Sequence, residues 1–485
     1  MRAFLGVVFV ASCAIATPLR GQRLPASAAA TRVGPARGTV MVVGGGFMAP
    51  DLFARFIEAA GGPEALIVVV PNATGDTGIT QDAPSARAWR LMGAHSVRVL
   101  YTTDRRLADT DSFVAILKTA GGVWFDGGRH YRLVDAYAGT RTEQAFRDVL
   151  TRGGVIGGSS AGATILGDFL VRGAPSNDNS IMDYPGYEKG FAYLRGVAID
   201  QHVIARERLR DLADSIIPKF PNLLGLSADE GTAWIVRGDT ATIMGLSKAF
   251  VYASREANDP GKPFVTLFPG DRFNLAERRV MHRAASDSPV SEAFVDSLVG
   301  AYSRTGASVL VARDGKVFID KSYGIGPQPK YMPTSTVPLF TMGAIADVFT
   351  AFCAQLPVPR ERCLPAVMNG IGMHKSGQPA VLGNMSSVDE LYRWAEMLPV
   401  ARVVVNPAMT PDEFNRTYDA NRGWQADTYR GVARYRAFGL PQGKRGAFVR
   451  LPERQATIIV LTNDDSADAA GIAERITDRL LPTKN

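Results

Sequence analysis

Gly154-Val155-Ile156-Gly157-Gly158-Ser159-Ser160-Ala161-Gly162-Ala163-Thr164-Ile165-Leu166 carries the chain from a short apolar strand, through a glycine-flanked turn, into a helical stretch reaching Leu170. Residues 154–156 read as strand, 158–162 as G-x-S-x-G and 163–170 as helix. Such a turn holds a serine Oγ clear of the backbone, and the helix N-terminus behind it favours developing negative charge. Ser160 is therefore the candidate nucleophile and the Ala161 N–H a candidate oxyanion donor. The pair Gly127-Gly128, closing the strand before it, offers a second donor at Gly128.

Outward from this turn, residues 39–43, 65–70, 97–101 and 122–125 are short β-branched or apolar runs. Amphipathic helical stretches such as 51–60 and 142–152 lie between them. The alternation predicts an α/β fold with a parallel, doubly wound sheet and ligands at the carboxyl ends of its strands. His202 ends an apolar strand at 197–202 and is the candidate general base. Two acids could orient it: Glu230, just before a strand at 233–236, and Asp178, in the loop after the nucleophile helix. Glu230 is favoured because it too stands at an element junction.

Four motifs, Phe125-Asp126-Gly127-Gly128, 158–163, Asp200-Gln201-His202 with Arg206 and Arg208, and Asp229-Glu230-Gly231-Thr232-Ala233, occur in order. Their order and spacing resemble the cyanophycinase and peptidase E family over residues 39–271. The resemblance implies a class I glutamine-amidotransferase-like sheet, a Ser160-His202-Glu230 triad and cleavage of peptide bonds next to aspartyl residues. It also implies a substrate pocket of Asp200, Gln201, Arg206 and Arg208. Two positions depart from the family: His130 stands where a glutamine is usual, and Asp211 where a further arginine would follow. Both touch the pocket, so the chemistry is better supported than cyanophycin as substrate.

Gly44-Gly45-Gly46-Phe47-Met48-Ala49 satisfies the dinucleotide fingerprint G-x-G-x-x-A. That motif asks for an acid at the end of the next strand, and 65–70 runs instead into Pro71-Asn72. A glycine-rich loop lining the cleft explains the same residues, and no cofactor is expected.

The alternation fades at 267–285, and 284–290 reads as a boundary between domains at 39–283 and 291–485. The second opens with a helix at 291–302, followed by a hairpin of 308–312 and 317–319 around Asp314-Gly315. Residues 308–324, 340–351, 383–398 and 448–463 resemble the serine β-lactamase and penicillin-binding-protein family. Ala344 and Asp347 stand where its S-x-x-K serine and lysine would be, so that mechanism is excluded. This reads as a smaller, non-catalytic α+β domain. It would bind a peptide or cell-wall fragment, shape the first cleft, or stabilise an oligomer.

The formal charge is +7 over 485 residues, but residues 1–37 carry Arg2, Arg20, Arg23, Arg32 and Arg37 and no acid. Only about +2 remains for the rest, too little and too dispersed for a nucleic-acid footprint. Arg2, the apolar stretch 3–16 and Ala14-Ile15-Ala16 read as a signal peptide at 1–21, followed by a flexible tether at 22–38. Export is expected. Val10-Ala11-Ser12-Cys13 also resembles a lipobox, which would make Cys13 a lipid anchor. No other stretch suits a membrane span. Cys353 and Cys363 either pair across a short loop or remain buried thiols. Neither they nor the five scattered His have metal-ligand spacing.

The expectation is an exported serine peptidase that takes a small or branched aspartyl-containing peptide. The family resemblance alone suggests a homodimer. The competing reading is a non-catalytic binding protein built from two degenerate hydrolase domains. An α/β-hydrolase-type esterase is disfavoured because its acid precedes its histidine, an argument that lapses if Asp178 is the acid.

Overall fold

The computed structural model describes residues 32–175, 181, 184–302, 305–324, 338–355, 359–376, 384–397 and 422–481. The signal peptide at 1–21, Cys13, most of the tether and Asp178 lie outside the described residues, as does part of 383–398. From Arg32 onward the chain packs as one compact unit.

β1 (Thr39–Val43), β2 (Ile67–Val70), β3 (Val97–Val99), β4 (Gly122–Phe125) and β5 (Val155–Ser159) pair in parallel in the order β1-β5-β4-β2-β3. These strands are almost continuously apolar because both faces are covered. On one face lies the helix Pro50–Ala60, whose Leu52, Phe53, Phe56, Ile57 and Ala60 are buried at helical spacing. Phe56 meets Trp89 and Trp124 with ring centroids 4.7 and 5.4 Å apart, an aromatic cluster that fixes the helix on the sheet.

β6 (Val197–Gln201) and β7 (Leu224–Ala228) run parallel in a second sheet, which also holds β10 (Ala249–Tyr252) and β11 (Val265–Leu267) in the order β11-β10-β7-β6. β8 (Thr232–Arg237), β9 (Thr240–Gly245), β12 (Arg272–Asn274) and β13 (Arg279–His282) extend the first sheet to nine strands, all antiparallel to their neighbours. The doubly wound parallel sheet expected from the alternation is therefore corrected to a mixed one. The β8–β9 link (Gly238, Asp239) is too short for the crossover that parallel pairing requires.

The helix after the candidate nucleophile is also shorter than expected, a single turn at Ala161–Thr164. Beyond Gly167 the chain turns extended, and Phe169 bridges Ala198 of β6.

In the C-terminal half, β14 (Ala307–Arg313) and β15 (Lys316–Tyr323) form the expected hairpin, with Asp314 and Gly315 at φ 53° and 69°, the positive φ pair of a tight two-residue turn. Phe340–Thr341 and Met385–Ser386 form the small pair β16–β17. β18 (Gln425–Tyr429), β19 (Val432–Leu440), β20 (Lys444–Leu451) and β21 (Ala456–Thr462) complete an antiparallel sheet in the order β15-β14-β21-β20-β19-β18. One face packs the helices Glu292–Val299 and Ala469–Leu480, the other Ala346–Cys353, Arg360–Gly370 and Val388–Met397. Cys353 and Cys363 form a disulfide, resolving the two alternatives left open by the sequence. Ala344 and Asp347 are both exposed at the start of the helix Ala346–Cys353.

Ala49 and Leu246 of the N-terminal half are buried within the C-terminal core. Lys248 Nζ lies 2.8 Å from Asp320 and 3.0 Å from Asp389 across the same contact. Among the described residues no helix is long and apolar enough to cross a membrane.

Candidate active site

The carboxyl ends of β1, β4, β5, β6 and β7 converge. Val43 is level with Ser159 and Phe125 with Gly158, while Gln201 is level with Ala228. Ser160, His202 and Glu230 therefore leave their strands toward one place, as expected for the ligand face of such a sheet.

Ser160 holds φ 56° and ψ −117°, a strained backbone that costs about 1–3 kcal/mol and is over-determined by its neighbours. A Cβ on Gly158 would stand 2.1 Å from the carbonyl oxygen of Gly162, and one on Gly162 would stand 2.1 Å from that of Phe125. Both flanking glycines of the motif are sterically required. Ala161 is the first helical residue, so its N–H has no intrahelical acceptor. Gly128, at φ 138°, lies where a Cβ would run into the Ala73 carbonyl.

His202, also at positive φ, is anchored by its N–H donating to the Gly44 carbonyl at 2.8 Å. Its Nε2 lies 2.8 Å from Ser160 Oγ, and its Nδ1 is in hydrogen-bond contact with Glu230 Oε1. Burial works against ionising Glu230, yet its bonds to His202 and His374 outweigh this and hold it well below the usual carboxylate range. Asp229 accepts from the backbone N–H groups of Ile204 and Ala205 and from Ser247 Oγ. It thereby fixes the turn that follows His202.

The glycine-rich loop after β1 lies against this pair. A Cβ on Gly46 would stand 2.6 Å from Glu230 Oε2. Its match to the dinucleotide fingerprint thus has a different physical basis.

Around the end of β6 lies a cluster of buried charged and polar side chains. Arg172 Nη1 donates to Asp200 Oδ1 at 2.6 Å and its Nη2 pairs with Asp211. The carboxylate at position 211 is thus matched by an arginine from another loop. Burial and the charges of Arg129, Arg172 and Arg208 lower the pKa of His130 to about 3, leaving it neutral. Burial, with Arg172 nearby, lowers that of Arg208 to about 10. Both ring nitrogens of His130, Asp200 Oδ2, Gln201 Oε1 and Arg208 Nη1 are buried without a partner among the described residues. Such polar atoms are costly unless a ligand or water engages them. Arg206 is exposed. A cavity of about 390 Å³ opens beside Ser159 and Gly127, walled by Phe47, Met48, Phe53 and Trp124, with Asp126 alongside.

Sequence reasoning missed Arg172, His374 and Arg393. Arg172 left one trace, a lone charge directly after the apolar run 169–171. The other two belong to the C-terminal half: His374 Nε2 lies 2.5 Å from Glu230 Oε2, and Arg393 Nη1 donates to the Glu230 carbonyl at 2.9 Å. No cluster of three or more His, Cys, Asp or Glu suited to a metal occurs among the described residues.

Residues 41–244 match the family described as Peptidase family S51. Cyanophycinase from Synechococcus elongatus is 28% identical over 272 residues, covering 51% of this chain and 82% of its own. Cyanophycinase from Nostoc sp. is 26% identical over 270 residues, covering 51% of this chain and 90% of its own. The crystal structure of a peptidase from an acI-B1 Actinobacterium aligns at 22% identity over 50% of this chain and 98% of its own, with a TM-score of 0.38. The family match takes in Ser160, His202 and Glu230, and residues 245–485 lie outside it.

Proposed function

We propose, from the premise that the N-terminal half carries a peptidase family S51 domain, that the chain is an exported serine peptidase cleaving peptide bonds next to aspartyl residues. The observation that carries this reading is the continuous hydrogen-bond chain from Ser160 Oγ through the His202 ring to Glu230. His202 takes the Ser160 proton as Oγ attacks the scissile carbonyl, then returns it to the leaving amine. Water, activated in the same way, releases the acid product. The backbone N–H groups of Ala161 and Gly128 hold the oxyanion. Glu230 keeps the imidazole in the required tautomer.

The buried Arg208 Nη1 has no partner among the described residues. A guanidinium there suits one carboxylate of an aspartyl residue, whose oxygens accept from an arginine fork, while Asp200 Oδ2 and Gln201 Oε1, also unpartnered, take the donors beside it. The Cys353–Cys363 disulfide supports an oxidising compartment and hence export. Residues 291–485 are read as a non-catalytic relative of the serine β-lactamases. This is supported by the antiparallel sheet with helices on both faces and by alanine and aspartate at positions 344 and 347.

The test is hydrolysis of cyanophycin and a panel of aspartyl and isoaspartyl dipeptides, beside Ser160→Ala. Turnover of any member that disappears in the variant is expected. No turnover, together with no labelling of Ser160 by a serine-directed fluorophosphonate, overturns the reading.

A further inference from the structure

We propose that the C-terminal half completes the active site through His374, a positioning residue that clamps Glu230 so that the acid holds His202 in line with Ser160. The inference rests on the reading of Ser160, His202 and Glu230 as the catalytic set.

A carboxylate bonded through one oxygen keeps a broad, two-fold final torsion. Glu230 is held at three points: Oε1 by His202, Oε2 by His374 Nε2 at 2.5 Å, and its own carbonyl by Arg393 Nη1 at 2.9 Å. The segment bearing His374 is itself fixed. Met373 is fully buried in the C-terminal core, and its N–H donates to the Met368 carbonyl at 2.7 Å. The Lys375 and Ser376 N–H groups each donate to the buried Glu390 carboxylate at 2.7 Å.

Arg393, on the helix Val388–Met397, bridges the two sides. Its Nη2 lies 3.5 Å from Asp229 Oδ2. A Cβ on Gly231 or on Gly372 would stand 2.8 or 3.1 Å from its Nη1. The turn carrying the acid and the turn carrying His374 are thus built around one guanidinium.

Charge has a further consequence. The charged groups around His374 are Glu230 and Asp229 from the β7–β8 turn, Asp389, Glu390 and Arg393 from the helix, and its neighbour Lys375. The Glu230 bond, acting against burial, raises its pKa above the ordinary histidine value, and protonation of His374 strengthens the bond that holds Oε2.

The experiment follows the rate of fluorophosphonate labelling of Ser160 in the full-length protein from pH 5 to 9. The readout does not depend on knowing the substrate. His374→Ala is expected to slow labelling about 100-fold across this range, because the acid is no longer held. His374→Gln restores a neutral donor to Oε2. It is expected to recover most of the wild-type rate at pH 9 and less of it toward pH 5, since the restored bond lacks the charge that a protonated His374 supplies. Thermal unfolding accompanies each variant, and where alanine destabilises the protein, His374→Leu fills the same space without a donor. A folded Ala or Leu variant that labels at the wild-type rate across this range overturns the proposal. Wild-type protein that fails to label at all overturns instead the catalytic reading beneath it.

Discussion

A Cβ on Gly45 would stand 2.2 Å from Cε1 of His202, and Gly45 holds φ at 105°. The loop after β1 therefore leaves the space of a missing side chain to the ring of the base. Gly62 has nearly the same backbone, φ 104°, with nothing within 4 Å of the same added atom. Alanine at either site carries the left-handed penalty of about 1 kcal/mol, but only at Gly45 does it displace His202. Gly45→Ala is expected to lower Ser160 labelling and kcat by at least about 100-fold. Gly62→Ala should keep near wild-type rates and lose only a little thermal stability. Equal rates in the two variants would refute the steric account.

Glu230→Gln keeps the shape of the acid and removes its charge. Its amide can no longer impose the tautomer in which Nδ1 carries the proton, so kcat is expected to fall about 10³–10⁴-fold with KM little changed. Stability follows the depressed pKa of Glu230. A carboxyl held below its unfolded value stabilises the fold above that value and loses the contribution as pH falls through the folded one. Denaturant titrations should therefore show the gap between wild type and Glu230→Gln narrowing once pH drops below about 4.5, the ordinary glutamate value. A gap constant with pH would mean that the carboxylate is not ion-paired in the fold.

Legibility in the sequence follows the range of the constraint. Ser160 could be read because its turn is written in adjacent residues: Gly158 abuts the Gly162 carbonyl, and the motif records both glycines, although what excludes a side chain at Gly162 is the distant Phe125 carbonyl. The β14–β15 hairpin could be read for the same reason, through Asp314-Gly315. The direction of β8 could not, since a strand buried on both faces shows the same apolar run whether its neighbours are parallel or antiparallel. Only the length of the connecting turn distinguishes the two. His374 and Arg393 lie 144 and 163 residues from Glu230. Nothing in the segment 371–376 signals that its histidine faces an acid from the other half of the chain.

Lys248 ties the halves together by charge, with Asp320 on β15 and Asp389 on the helix Val388–Met397 both within 3.0 Å of its Nζ. Lys248→Met leaves two buried carboxylates without their counter-charge, and a loss of about 3–5 kcal/mol in urea unfolding is expected. Adding Asp320→Asn and Asp389→Asn should recover much of that loss, because the uncompensated charge is then removed with its partner. Failure of the triple variant to regain stability would show that the lysine acts through packing alone.

Asp126 follows β4 beside the cavity next to Ser159, almost wholly buried. Burial dominates the Ser85 and Trp124 hydrogen bonds and pushes its pKa up to about 7. A group raised in the fold contributes stability that is full below its unfolded value, near 3.8, and is lost as pH rises through the folded one. Wild-type protein should therefore lose a few kcal/mol at most between about pH 4 and pH 8 through this residue. Asp126→Asn has no proton to lose and escapes that decline, while its amide can still accept from Ser85 Oγ, which in the native protein lies 2.5 Å from Asp126 Oδ2. Urea unfolding at pH 5, 6, 7 and 8 is expected to give curves that converge at the acidic end, with the variant the more stable of the two above pH 7. Parallel dependences would mean that Asp126 is ionised in the folded state throughout, and that the polar wall of the cavity, rather than a proton, accommodates it.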